Sequence, residues 1–347
     1  MKRTPKVVIV GGGFAGALCA RHLENDFDVT LIDTKDYFEY TPSVLRVIVE
    51  PDHIRDIQAY HCEYLKHAHV VRDSVTIVAK DHVTTKKGAT FPFDYLVISA
   101  GSSYTLPIKH QELVRATRAK ELAGYHSKLK RAKRILIIGG GLVGVELAAE
   151  ICTHFTDKHI MIAHNKDELL TRSPPRARKY AQRFLEDRGV KFHWNTHILG
   201  GSGTTYKSKA GKNIMADLAF LCTGITPNYG LMKKNYSTCL DENGFIKVNK
   251  HLQVAGQKNI FAAGDVNNIA EEKTAQNAEK QAAIASANIR LLNAKRRLVA
   301  YESKPRLMDI SLGKHDGILI YKQRVVTGTV SAFIKWLVER KTMIHYA

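Results

Sequence analysis

A glycine-rich turn occurs twice in the chain, each time between an apolar run and a helix-forming stretch. Gly11-Gly12-Gly13-Phe14-Ala15-Gly16 follows Val7-Val8-Ile9-Val10, and Gly139-Gly140-Gly141-Leu142-Val143-Gly144 follows Ile135-Leu136-Ile137-Ile138. Between a strand and a helix, the first glycine permits the tight turn. The second lets the backbone approach a pyrophosphate, and the third lets the helix pack on the sheet. The free N–H groups and dipole at the helix N-terminus then favour negative charge. The copies start 128 residues apart, too far for a solenoid repeat and suited to two dinucleotide-binding units. Two bound dinucleotides point to a flavin in one unit and a nicotinamide in the other, with electrons passing between them.

The flanking segments repeat as well. The first unit continues with a helix from Ala15 to about Glu24 and a strand Val29–Asp33. Three short stretches (His69–Val71, Val75–Lys80, His82–Thr85) suggest a meander, and Phe93–Gly101 reads as a buried strand. Pro107 marks a crossover, and a basic helical stretch, Lys120–Lys133, leads into the second unit. There a helix is expected over Leu142–His154, a strand over His159–Ile162 and, after Pro174-Pro175, a helix over Ala177–Arg188 capped by Gly189. Asp217–Gly224 matches Asp94–Gly101, so both units share a closing strand as well as an opening one. A third apolar strand, Asn259–Asp265, precedes an alanine-rich helix from Thr274 to Asn293.

A chain of 347 residues should split into two or three domains. Its hydrophobic content of 44% is ordinary for a globular protein, whereas a formal charge of +19 is not. Such a surface attracts polyanions: nucleic acid, acidic membrane or the phosphates of the cofactors. Cys19, Cys62, Cys152, Cys222 and Cys239 form no CxxC or CxxxxC pair, which argues against a redox dithiol and a metal cluster. Cys19, Cys152 and Cys222 read as small buried residues, and the unpaired set suits a reducing compartment. His61, His67 and His69 lack a ligand cluster, so no metal site is expected. Met-Lys-Arg-Thr-Pro-Lys leads straight into the first strand, leaving no room for a targeting peptide, and Lys2 excludes N-myristoylation. No apolar run reaches the roughly 18 residues of a spanning helix. The expectation is a cytoplasmic protein, peripheral on a membrane at most.

The end of the second strand separates the two units. Asp33 can accept from both ribose hydroxyls of an adenosine that carries no 2′-phosphate, as in FAD. Aligning Val29–Asp33 with His159–Ala163 puts Ala163 at that place, followed by His164-Asn165-Lys166. No carboxylate then repels a 2′-phosphate, and Lys166 and Arg172 are near enough in sequence to attract one. NADPH is therefore expected to be tolerated alongside NADH.

The set Gly11–Gly16, Asp33, Ser99-Ala100-Gly101, Gly139–Glu146, Cys222-Thr223-Gly224 with Pro227-Asn228, and Asn259–Asp265 resembles the two-dinucleotide-binding flavoproteins. That group includes glutathione reductase, the type II NADH dehydrogenases and the apoptosis-inducing-factor relatives. The resemblance covers the whole chain. It implies an α/β fold of two Rossmann-like, glutathione-reductase-like domains with a small C-terminal α+β domain. The FAD domain would comprise 1–108 and 245–300, the NAD(P)H domain 109–244 and the C-terminal domain 301–347. Asp36–Pro42 resembles the Phe-x-x-Thr-Pro segment beside the flavin in type II NADH dehydrogenases. Ser311–Gly317 and Arg340–Met343 look most like the ferroptosis suppressor branch, which reduces quinones with NAD(P)H. Implied FAD contacts are Gly11, Gly13, Phe14, Ala15, Gly16, Asp33, Thr41, Pro42, Val75, Ala100, Gly101, Gly264 and Asp265. Of these, Asp265 would bond the ribityl chain. Implied NAD(P)H contacts are Gly139, Gly141, Leu142, Val143, Gly144, His164 and Gly224. The family's Ala-Gln-x-Ala-x-Gln quinone motif departs here to Ala275-Gln276-Asn277-Ala278-Glu279-Lys280, with Gln281 one place late.

Glu146 has two readings. It orients nicotinamide or relays a proton to the reduced acceptor, as the family's glutamate implies, or its charge merely stabilises the first turn of its helix. Val330, Phe333, Ile334, Leu337 and Val338 have helical spacing, with Lys335 and Glu339 opposite. That apolar face either closes the domain core or lies on a membrane, with Lys335, Arg340 and Lys341 meeting anionic lipid. The favoured activity is hydride transfer from NAD(P)H to FAD and then two electrons to a ubiquinone-like acceptor. The rivals are a reductase of a soluble acceptor and a redox or DNA-binding protein resembling apoptosis-inducing factor; a homodimer is allowed.

Overall fold

The computed structural model describes residues 3–104, 115–305 and 307–346, so the crossover expected at Pro107 lies outside the described residues. The first half runs β1 (Lys6–Val10), α1 (Phe14–Leu23), β2 (Asp28–Asp33), β3 (His69–Arg72) and β4 (Tyr95–Ile98). Helix α2 (Arg115–Arg131) leads to β5 (Arg134–Ile138), α3 (Leu142–His154), β6 (His159–Ala163), α4 (Pro175–Glu186), β7 (Lys191–His193) and β8 (Leu218–Leu221). The chain then returns through β9 (Ile260–Ala262) and α5 (Ala275–Asn293). It ends in β10 (Leu307–Ser311), β11 (Gly317–Tyr321), β12 (Arg324–Thr327) and α6 (Thr329–Ile344).

Two parallel sheets result. The first has the order β9-β4-β1-β2-β3 and the second β7-β6-β5-β8. Their central strands are continuous apolar runs because both faces are covered: Val7 and Ile9 pack into one cluster, Val8 and Val10 into another. In the first unit, α1 lies along α5. Ala17 and Ala20 on one helix and Ala282 and Ala285 on the other are buried, and such small side chains let two helices approach closely.

The expected meander is corrected. Val75–Val78, His82–Thr85 and Thr90–Pro92 form an antiparallel sheet, but β3 leaves it and pairs in parallel with β2, Thr30 opposite His69. Before β9 the chain already packs on the first unit: Leu231, Met232, Tyr236 and Cys239 share a core with Val8, Val10 and Val75. Ser102–Ser103 and Thr226–Pro227 pair antiparallel, tying the ends of the two closing segments together.

The C-terminal strands form an antiparallel sheet against which α6 packs, and β10 contacts α3. Here the core-closing reading of α6 fails. Val330 and Phe333 are 58% exposed, Leu337 44% and Ile344 71%, whereas Ser331 and Glu339 are buried. The helix turns its apolar face outward because its polar face has partners inside: Lys335 meets Glu146, and Glu339 meets His53 and Ser43. Lys335 therefore does not face outward among the lipid-directed cations. Among the described residues no helix is long and apolar enough to cross a membrane.

Candidate functional site

The two glycine turns are built alike. Gly11 (φ +96°) and Gly139 (φ +117°) adopt a backbone that favours glycine, and a Cβ on either would lie 2.4 Å from the carbonyl oxygen of Ser99 or Cys222. A Cβ on Gly16 or Gly144 would collide with the carbonyl of Gly11 or Gly139. These glycines pack the turn against the closing strand. Gly13 and Gly141, by contrast, have open space at the Cβ position and stand at the helix N-caps with no side-chain cap. The first amides of α1 and α3 are thus left for an anion.

A cavity of about 520 Å³ opens over the first turn. Of the residues that the resemblance implies for FAD, Gly11, Gly13, Phe14, Ala15, Asp33, Thr41, Val75, Ala100, Gly101, Gly264 and Asp265 line it. Gly16 lies beneath the turn, and Pro42 is not among the lining residues. The sequence reading missed Lys35, Glu39, Ser102, Tyr229 and Lys233, which also line the cavity. Pairing of Ser102–Ser103 with Thr226–Pro227 brings this wall together, and no local motif announces it. Asn228 secures the join by donating to the Ala100 carbonyl at 2.7 Å.

The charges in the cleft are held firmly. Burial raises the Asp33 carboxyl, but the His61 hydrogen bond and the charges of His61 and Lys35 outweigh it and hold the group below its ordinary range. The Ser102 hydroxyl donates to Asp265 at 2.7 Å. Gln281, the displaced glutamine of the quinone motif, is buried and structural. Its Oε1 accepts from the Gly264 amide at 2.7 Å and from Asn267 at 2.6 Å, and its Nε2 donates to Glu271. It therefore braces the Gly264-Asp265 turn. Shape and chemistry suit FAD here: an uncapped helix N-terminus, a glycine wall without side chains, one carboxylate at the end of β2 and another after β9.

Strand register corrects the second acidic position. Val10 pairs with Ile32 and Ile138 with Ala163, so the counterpart of Asp33 is His164 and not Ala163. Matching Val29–Asp33 to His159–Ala163 therefore points one residue early relative to the pairing of β2 with β1 and β6 with β5. His164 Nδ1 accepts from the Gly140 amide at 3.1 Å. That bond places the proton of the neutral ring on Nε2. Burial, then the charge of Lys166, lowers the His164 pKa and keeps the ring neutral. Arg172 pairs with Glu272 at 3.6 Å. Gly141, Leu142, Val143 and Gly144 surround the second turn, and Gly224 (φ +111°) follows β8 as Gly101 (φ +66°) follows β4.

Glu146 is the fifth residue of α3, beyond the first turn, so stabilisation of that turn is not its role. Its buried Oε1 accepts from the Ser311 amide and from Lys335 Nζ, both at 2.9 Å. Asp309 sits beside this pair, its Oδ1 accepting from the Ser331 hydroxyl at 2.9 Å. Burial pushes the Asp309 carboxyl up to about 6 against the opposing pull of Lys335. The C-terminal segment therefore completes the surroundings of Glu146. Cys19, Cys152 and Cys222 are buried, and burial pushes each thiol up to about 12, which makes them poor nucleophiles.

The pyridine nucleotide-disulphide oxidoreductase family matches residues 5–282. Apoptosis-inducing factor homolog B of Dictyostelium discoideum is 30% identical over 346 residues, covering 90% of this chain and 88% of that protein. Ferroptosis suppressor protein 1 of Homo sapiens is 28% identical over 333 residues, covering 90% of this chain and 87% of that protein. The structure of NDH2 from Plasmodium falciparum in complex with NADH is similar with a TM-score of 0.82 at 15% identity, covering 99% of this chain and 97% of that one. That last likeness is one of fold.

Proposed function

The chain belongs to the pyridine nucleotide-disulphide oxidoreductase family, and from that premise we propose that it is an NAD(P)H:quinone oxidoreductase working at a membrane surface. Family members typically use FAD and NAD(P)H. When bound, the flavin would supply the redox chemistry between a nicotinamide hydride donor and a two-electron acceptor. The protein's own part is to hold, orient and shield. The amides at the start of α1 grip the FAD pyrophosphate, Asp33 accepts from the adenosine ribose, and Asp265 holds the ribityl chain. The corresponding amides of α3 grip NAD(P)H. Glu146, fixed by Lys335 and Ser311, orients the nicotinamide carboxamide and offers an acceptor for a proton. The accompanying domain division is FAD-binding over 1–108 and 245–300, NAD(P)H-binding over 109–244 except for the stretch around 231–239 that packs on the first unit, and acceptor-facing over 301–347.

One observation favours a quinone over a soluble acceptor. Helix α6 holds Lys335 against Glu146 on its inner side and exposes Val330, Phe333, Leu337 and Ile344 on its outer side. An apolar face accompanied by Arg340 and Lys341 suits anionic lipid, where a quinone is dissolved. The membrane surface and Glu146 then lie on opposite sides of a single helix.

The test is anaerobic stopped-flow mixing of NADH-reduced protein with a ubiquinone analogue in anionic or neutral vesicles, and separately with ferricyanide and with oxygen. We expect the quinone in anionic vesicles to reoxidise the protein fastest, and the double variant Phe333→Asp/Leu337→Asp to lose that advantage while keeping its ferricyanide rate. Equal quinone rates with and without vesicles would point to a soluble acceptor instead.

A further inference from the structure

Behind Asp33, away from the cleft, lies a histidine that no motif singled out. His61 is fully buried, and its Nε2 stands 3.0 Å from Asp33 Oδ2 while its Nδ1 stands 2.6 Å from the Tyr64 hydroxyl. An ionised carboxylate can only accept, so the proton on Nε2 must point to Asp33. Nδ1 faces the Tyr64 hydroxyl, which donates to it when the ring is neutral and accepts from it when the ring carries a second proton; either way Tyr64 fixes the ring. The hydrogen bonds link Tyr64, His61 and Asp33 in one chain that ends on the carboxylate.

Packing makes this relay stiff. A Cβ on Gly12 would lie 2.5 Å from both Asp33 Oδ2 and His61 Cε1, so turn, carboxylate and imidazole fill one space. His61 opens the short helix His61–Tyr64, and its amide donates to the Asp36 carbonyl at 3.1 Å. Tyr64 is edge-on to Tyr346 of the C-terminal tail, with ring centroids 4.9 Å apart. The second unit provides an internal contrast. His164, at the place of Asp33, leans directly on the Gly140 amide and uses no third residue.

We propose that His61, backed by Tyr64, is the positioning residue that holds Asp33 for the adenosine ribose of FAD. This rests on the reading of the first cleft as the FAD site. Without the imidazole, Asp33 would keep the cost of burial and lose its buried donor. It would turn to another rotamer or take up a proton, and in either case accept poorly from a ribose.

The full chain, stripped of flavin, is titrated with FAD by flavin fluorescence, with ADP as competitor. Changing His61 to Phe should weaken both FAD and ADP by roughly ten- to a hundredfold, the range for a hydrogen bond to a charged group. His61→Gln, whose amide can donate to Asp33, should recover most of the loss. Tyr64→Phe, which keeps the core volume, should weaken both ligands several-fold while the protein still unfolds cooperatively. FAD and ADP affinities within twofold of the parent in Tyr64→Phe and His61→Gln, together with no loss in His61→Phe, overturn the proposal. If His61→Phe does not fold, an unchanged affinity in Tyr64→Phe overturns it alone. A parent protein that binds neither FAD nor ADP overturns the flavin reading itself.

Discussion

Glu146 is where three distant segments converge: its own helix α3, the Ser311 amide at the end of β10, and Lys335 from α6. A buried carboxylate with two donors on one oxygen is rigid and keeps its other oxygen for a ligand. Replacing it by Gln retains the size and removes the charge. We expect Glu146→Gln to slow flavin reduction by NADH in a single turnover by about a hundredfold, within the range for a positioned acid–base group; an unchanged rate removes Glu146 from the reaction. His164 carries a second consequence at this scale. A neutral imidazole with its proton on Nε2 stands where a carboxylate would repel a 2′-phosphate. The Michaelis constants for NADH and NADPH should therefore lie within about tenfold of each other, and a hundredfold penalty for NADPH would show that something else at the site rejects the phosphate.

Helix α6 shows how an element can invert the usual pattern. Its apolar residues were legible from their spacing, but which face turned inward was not. The periodicity predicts an amphipathic helix; the partners Glu146, His53 and Ser43, all far away in sequence, decide its rotation. The contact between His53 and Glu339 titrates from both sides. Burial lowers the His53 pKa, but the hydrogen bond and charge of Glu339 outweigh it and hold His53 above its ordinary 6.5. Burial raises the Glu339 pKa, but His53 and Ser43 hold it below its ordinary 4.5. The raised His53 stabilises docking fully below 6.5 and loses that contribution as pH climbs through its folded value. The lowered Glu339 contributes above 4.5 and loses its share as pH falls through its folded value. The helix should hence be docked most firmly between about 4.5 and 6.5. Hydrogen exchange of the amides over Thr329–Ile344, corrected for intrinsic rates, should be faster at about pH 8 than at about pH 6. Equal protection at both would mean that the Lys335 pair and packing alone hold the helix.

Across the whole molecule, the first unit is assembled from both ends of the chain, since β9 and α5 complete the sheet that β1 begins. A ligand in that cleft bridges segments hundreds of residues apart and should stabilise the fold by mass action. FAD at a hundred times its dissociation constant adds about 2.7 kcal/mol, so the melting temperature of stripped protein should rise by several degrees. No shift would argue against the cleft as the flavin site. The two glycine turns, the strands that precede them, the helix Leu142–His154 and the third strand with its Gly264-Asp265 ending could be read from the sequence alone. Each is set by local forces: a run buried on both faces, a backbone that admits no side chain, a helix start that seeks an anion. Tertiary structure decided the rest. His61 reached Asp33, His164 took the place expected for Ala163, Gln281 became a brace, and α6 faced outward because a hydrogen bond or a strand register joins residues that share no local pattern.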